Sequence, residues 1–448
     1  MRQKEKGAKS KYNQHIPTLC LLVIFLFLVQ CISYGQRSSA SEDSIDVTPD
    51  GTQGEMLEVL KADTVPKKWK DRRWRLFPGR FSTFKFGGGF LYEYAAFHQD
   101  ENGRRQLDSM GTSLKPSFDV RDFRVTLSGQ LKTKRLITWK AGFMYEGSER
   151  EWLVRETGLM IDVPELWGKF FIGRTKEGFS LNKIMVGYAG WTMERQMAID
   201  VIPILADGIK WLGYLPKQRV LWNAGIYADW LSHTQGFSTF RWQWAARVGW
   251  LPINDESRKT VWHAALNYRY GEPVNGQIKV RSRPEVNAAP FFIDAGIFPA
   301  SHSNQWGVEM YYRSGPFMVG SEVYMHRFSS PEFGDPVFYG GDVMVSYFLT
   351  GESRPYHTST SIFGFVSVAR PLFKGGPGAW EIVFRASSLD LTNGALKGGS
   401  FWRITPMVNW YLTKDIRLEL VYGYGVLDRY QLKGATHFFQ SRIQLTLL

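Results

Sequence analysis

Nine arginines recur at positions where apolar and polar residues alternate: Arg124, Arg241, Arg247, Arg269, Arg313, Arg385, Arg403, Arg417 and Arg442. A guanidinium offers several fixed donors and stays charged at any working pH. A column of them facing an aqueous passage lowers the energy of an anion along its path and repels cations. The alternative use of the same residues is internal. Paired with acids on the same polar faces, such as Glu309, Glu322, Glu381 and Glu419, they would stiffen a wall and cancel the field.

Motifs for other chemistry are missing. None of the eight His is followed by Glu, so there is no H-E-x-x-H metal helix. No G-x-S-x-G elbow, G-x-G-x-x-G turn or Walker loop occurs. We expect no catalytic residues, no metal and no cofactor.

The elements that must position the arginines are strands. In 123–131, Phe123, Val125, Leu127 and Leu131 alternate with Arg124, Thr126, Ser128 and Gln130. In 240–250, Phe240, Trp242, Trp244, Ala246, Val248 and Trp250 alternate with Arg241, Gln243, Ala245, Arg247 and Gly249. The same period of two returns in 402–412, with Trp402, Ile404, Val408 and Trp410 against Arg403, Thr405 and Asn409. It returns again at Ile416, Leu418 and Leu420, and at Ile443, Leu445 and Leu447. Period two predicts strands with one apolar face. Trp marks both ends of two of these segments, and eight residues of strand span about 27 Å. Allowing for tilt, that matches an apolar band of roughly 25 Å between aromatic girdles. The opposite face, rich in Arg, Gln, Thr and Asn, suits a water-filled lumen. The predicted fold is therefore all-β: a transmembrane antiparallel β-barrel. At roughly 20 to 25 residues per strand and connection it would have about 16 strands.

Composition agrees. Aromatics make up 15% of the chain, with 17 Trp, yet mean hydropathy is negative at −0.25. Beyond the N-terminus no apolar run is long enough for a membrane helix. The N-terminus reads as a secretory signal over 1–35: basic Arg2, Lys4, Lys6, Lys9 and Lys11, an apolar run from Leu19 to Val29, and Ser33-Tyr34-Gly35 at the expected cut. Both cysteines, Cys20 and Cys31, lie in that segment. Its five basic residues and Glu5 carry a net +4, which leaves +9 of the formal +13 after cleavage. That balance points to an anionic partner, and export argues against nucleic acid. Residues 36–80 read as a polar lead-in followed by a basic stretch. The barrel is expected over 81–448, with an inward loop at Ile199 to Leu215.

Several stretches resemble one family. They are Phe171-Ile172-Gly173-Arg174-Thr175-Lys176-Glu177-Gly178-Phe179-Ser180-Leu181, Thr192-Met193-Glu194-Arg195 and Tyr347-Phe348-Leu349-Thr350-Gly351-Glu352. To these are added Gly378-Ala379-Trp380-Glu381 with Arg385-Ala386-Ser387, then Asn409-Trp410-Tyr411-Leu412, and the closing Phe439-Gln440-Ser441-Arg442-Ile443-Gln444-Leu445. Their shared order from about Phe84 onwards resembles the phosphate-selective porins O and P of Bacteroidetes-type bacteria. The resemblance implies a 16-stranded barrel in the outer membrane of a Gram-negative-type bacterium. It also implies a homotrimer among outer-membrane lipid, inward loops, and passive diffusion of phosphate or other small anions. It adds Arg174 and Arg195 to the candidate anion path, Arg195 near the constriction. No dense lysine cluster is visible in the sequence.

The expected function is thus a passive porin with an anion preference. The rival readings are a membrane-barrel enzyme of lipase or protease type, and an exported β-rich sugar-binding protein. Replacing Arg195 and Arg385 with Ala is expected to lower anion preference.

Overall fold

The computed structural model describes residues 76–147, 150–230 and 240–447. The expected signal segment 1–35, and 36–75 of the lead-in, lie outside them.

Sixteen antiparallel strands close into a barrel. In chain order they are β1 (Thr83–Gln99), β2 (Ser117–Leu131), β3 (Ile137–Glu146) and β4, which comes in two pieces, Glu151–Val154 and Thr157–Val163. Next come β5 (Gly168–Thr175), β6 (Ala206–Leu215), β7 (Val220–Ala228), β8 (Phe240–Asp255), β9 (Thr260–Pro273) and β10 (His302–Ser314). The rest are β11 (Phe317–Ser329), β12 (Val337–Phe348), β13 (Ala379–Asn393), β14 (Leu396–Tyr411), β15 (Ile416–Arg429) and β16 (Leu432–Leu447). Each strand pairs with the next, and β16 returns to β1 through the register Gly88↔Leu447 to Gln99↔Thr436. Closure leaves no open edge, which a lipid environment requires.

Period two decides the two faces. On β14, Phe401, Arg403, Met407 and Asn409 are buried inward while Trp402 is exposed outward. On β15, Arg417, Glu419 and Val421 point in and Leu420 points out. The outer surface carries paired aromatics, stacked in Trp380–Trp410 and tilted in Trp211–Trp222. Such rings, apolar in body and polar at one edge, suit the membrane boundary. One expected face starts late. Phe240 turns inward, with the Arg269 guanidinium 4.1 Å from its ring, because a bulge between Phe240 and Trp242 shifts the alternation.

The two rims differ. One carries mostly tight turns, such as 216–219, 256–259 and 315–316. The other carries long connections, including 100–116 with helix α1 (Glu101–Ser109), 176–205 and 274–301. One long segment, 349–378, breaks the pattern by leaving the tight-turn rim. Three of these segments fold into the lumen: 176–205, 274–301 with its hairpin Gln277–Ser282 and Ile293–Pro299, and 349–378 with Tyr356–His357 and Ile362–Phe363.

The interior is therefore packed on one side. One cluster joins Phe179, Ile199 and Ile202 of the first segment to Ile278, Val286 and Phe292 of the second. Another joins Leu181, Met185 and Trp191 to Tyr356 and Phe363 of the third, over Tyr311, Met344 and Val421 of the wall. The inward loop expected at Ile199 to Leu215 is corrected here. Residues 206–215 are strand β6, and the inward segment is 176–205. Pro203 and Pro216 bracket the stretch, but the run from Ala206 alternates as a strand, with Lys210 and Leu212 buried and Ile209 exposed.

Candidate functional site

Most of the predicted arginines hold the inward segments to the wall. Arg247 grips Glu309 through Nε at 2.9 Å and Nη2 at 2.7 Å. Glu309 in turn accepts from the backbone N–H of Leu181 at 2.9 Å. Arg269 donates to Glu177 at 2.9 Å and Gln305 at 2.8 Å. Arg313 donates to the carbonyl of Arg354 at 2.6 Å. Arg385 reaches Thr192 at 3.1 Å, the Glu194 carbonyl at 2.9 Å and the Glu285 carboxylate at 2.5 Å. Arg403 donates to the carbonyl of Pro284 at 2.6 Å, and Arg417 to that of Gly190 at 2.5 Å. Arg442 bonds Glu93, Glu194 and the carbonyl of Met193. The five-donor fork lets one side chain bind a wall acid and a loop carbonyl at once. Such buried charges cost several kcal/mol to desolvate unless paired, which is why each has partners. Arg174 is likewise buried, with Asp207 at 3.3 Å and the Val154 carbonyl at 2.9 Å. Arg241 is exposed at the β8 bulge and pairs with Glu272 at 2.6 Å.

Arg124 and Arg195 have a different setting. The tip of segment 176–205 crosses to β1 and β2, where Tyr188 donates to Asp122 at 2.5 Å and its ring lies 4.5 Å from the Arg124 guanidinium. Gly89 makes this approach possible, since a Cβ there would lie 2.1 Å from the Tyr188 ring. Arg195 braces the loop across its own bend, donating to the carbonyls of Asn182 at 2.9 Å and Met185 at 3.0 Å. Its guanidinium then meets Arg124 across Gly187. A Cβ built on Gly187 would lie 3.7 Å from Nη1 and Nη2 of Arg124 and 3.7 Å from Nη2 of Arg195. Burial, then the charge of Arg124, push Arg195 down to about 10. Beside it, burial works to raise the Glu194 carboxyl, but Arg121 and Arg442 outweigh burial and hold it at about 2. A small cavity lies between Arg121, Arg124, Arg195, Asn182 and Gly187.

Further toward the tight-turn rim lies a larger cavity of about 370 Å³. Lys85, Lys140, Lys169 and Lys210 line it, against Glu156 and Asp162, and Ser359 and Thr360 of segment 349–378 close one side. Lys140 pairs with Glu156 at 2.8 Å, whereas Lys210 donates to the carbonyl of Lys176 at 3.1 Å. The sequence showed no such cluster because each lysine comes from a different strand. A partial signal was available: Lys85 and Lys140 alternate with apolar neighbours as the arginines do, whereas Lys169 and Lys210 share their phase with Phe171 and Leu212. Among the described residues no group of three or more His, Cys, Asp or Glu could hold a metal ion.

The profile of the family described as phosphate-selective porin O and P matches residues 93–447. A relative from Caulobacter vibrioides, an uncharacterized protein, is 31% identical over 159 residues, which is 35% of this chain and 31% of that protein's length. Among solved structures, the outer membrane channel DcaP of Acinetobacter baumannii superposes with a TM-score of 0.51 at 11% identity, over 83% of this chain and 99% of that one. A loop-deletion mutant of OmpT, an outer membrane protein of Vibrio cholerae, gives 0.50 at 12% identity, over 81% and 99%. OmpF of Salmonella typhi gives 0.50 at 10%, over 82% and 99%. At these identities the structures speak for the fold, whose tight turns mark the periplasmic side and whose long loops mark the outside. The chain is an outer-membrane porin and belongs to the phosphate-selective porin O and P family.

Proposed function

We propose that this porin is a passive, anion-favouring channel rather than a catalyst, and that its solutes pass along the β1–β6 side of the lumen. The observation that carries the reading is the convergence of Arg124 and Arg195 on Gly187, each within 3.7 Å of the same point. Like charges brought together raise each other's energy, and a passing anion lowers it. On this reading Arg124 and Arg195 act at the narrowest point, and the lysines of the periplasmic cavity continue the path. Arg247, Arg269, Arg313, Arg385, Arg403, Arg417 and Arg442 act mainly by anchoring loops. Arg174 belongs with them, and Arg241 stands apart from the path. Phosphate preference and a homotrimer are the finer parts of the proposal, and both rest on the family.

The test is the reversal potential of single channels in a salt gradient, for the native protein and for Arg124→Ala with Arg195→Ala. The expected result is anion preference in the native channel and a clear drop in the double variant. A cation-favouring native channel would sink the reading. Substituting phosphate for chloride tests the finer claim, and cross-linking in detergent tests the trimer.

A further inference from the structure

The periplasmic cavity is not built like a site for a bare inorganic ion. Its inward-facing wall includes Leu136, Met160, Phe171 and Leu212 beside the lysines. Leu159 and Ile172 are exposed on the outer surface, so alternation turns Met160 and Phe171 into the lumen. Met160 and Leu136 are half-buried and border the open space. The Lys210 ammonium stands 5.5 Å from the Phe171 ring centre. Four lysines against Glu156 and Asp162 leave a net +2 on the lining. At about 370 Å³ the volume falls within the range of roughly 300 to 1,000 Å³ typical of small-molecule pockets. Apolar walls with a few placed charges are the usual make-up of such pockets. Water against Met160 and Leu136 is displaced at a gain by an apolar group and at none by a fully hydrated ion.

We propose that this cavity binds organic anions that carry one acid group on an apolar body, in preference to small hydrophilic anions of the same charge. The lysines hold the acid group and Met160, Leu136 and Phe171 receive the body. This rests on the reading of the channel as anion-favouring, and it adds a solute class to it.

The test is block of chloride current through the full-length protein in planar bilayers. Benzoate and acetate share one acid group and differ in the apolar body. Benzoate is expected to reduce the current at a concentration about tenfold below that of acetate, as burial of part of a ring predicts. Met160→Ser, and separately Leu136→Ser, should cut that advantage about threefold or more while leaving acetate unchanged. Equal block by the two acids overturns the proposal, as does an advantage that survives both substitutions. Reversal potential is read in the same bilayers. An anion-favouring channel with equal block defeats this inference alone, whereas a cation-favouring channel defeats the anion reading and this inference with it.

Discussion

The hydroxyl of Tyr188 donates to Oδ1 of Asp122 at 2.5 Å, fixing the tip of the inward loop to strand β2 of the wall. Asp122 also accepts from Arg124 at 2.5 Å, so one carboxylate positions both the loop and a guanidinium of the proposed path. We predict that Tyr188→Phe raises open-channel noise with little change in mean conductance. The lost bond to a charged acceptor corresponds to about 1.5–3 kcal/mol of local stability. Tyr188→Ala also removes the ring from Arg124 and should raise mean conductance. Single-channel recording reads both, and a silent Tyr188→Phe channel would mean the tip is held elsewhere.

Gly89 sets the height at which that tip lies. A side chain there would overlap the Tyr188 ring, which stands 2.1 Å from the Cβ position. Gly89→Val is therefore predicted to lift the loop from the wall while keeping the β1 register, since valine suits a strand. The expected readout is a folded, heat-modifiable barrel with altered conductance. Native conductance would show that the loop accommodates the added side chain without moving.

How much of this was readable in the chain depends on the range of each interaction. The faces of β14, β15 and β16 were readable because alternation is local and closure requires it; Arg403, Arg417 and Arg442 all point inward as expected. What those arginines do inside was not readable. Arg403 meets the carbonyl of Pro284, and Arg417 that of Gly190, contacts that span more than a hundred residues. Loop carbonyls carry no sequence signal. Nor did Lys85, Lys140, Lys169 and Lys210 look like a group, because only strand order brings them to one cavity. Arg195 was singled out by family likeness, and its brace across Asn182 and Met185 could not have come from spacing.

Glu194 gives a pH prediction. Arg121 at 3.0 Å and Arg442 hold its carboxyl at about 2, below the unfolded value of about 4.3. A depressed carboxylate contributes stability that is fully present above the unfolded value and lost as pH falls through the folded one. The loop anchor should thus persist through mild acid. Open-channel noise is predicted to stay level from about pH 7 to pH 4 and to rise only as pH nears about 2. Glu194→Gln should be noisy already at neutral pH. Noise that climbs in the native channel between pH 6 and 5 would assign the anchor to another group.

Arg354 joins the segment from the periplasmic rim to the one from outside. Its Nη1 donates to the carbonyl of Ala189 at 2.6 Å, and its Nη2 meets both oxygens of Glu381 at 3.0 and 2.9 Å. Breaking a buried pair from one side costs about 3–5 kcal/mol. Here Glu381 keeps the Tyr411 hydroxyl at 2.8 Å and Asn409 at 2.9 Å, so Arg354→Ala is predicted near the lower end. Arg354→Lys keeps the charge but loses the fork, and should recover only part of the loss. The barrel wall does not depend on this contact, so its unfolding midpoint should move less than the protease sensitivity of 349–378. Limited proteolysis of folded protein in detergent, read beside thermal unfolding, separates the two. If Arg354→Ala leaves 349–378 as resistant as before, the hydrophobic contacts of Trp191 with Phe363 hold the two segments together without the arginine.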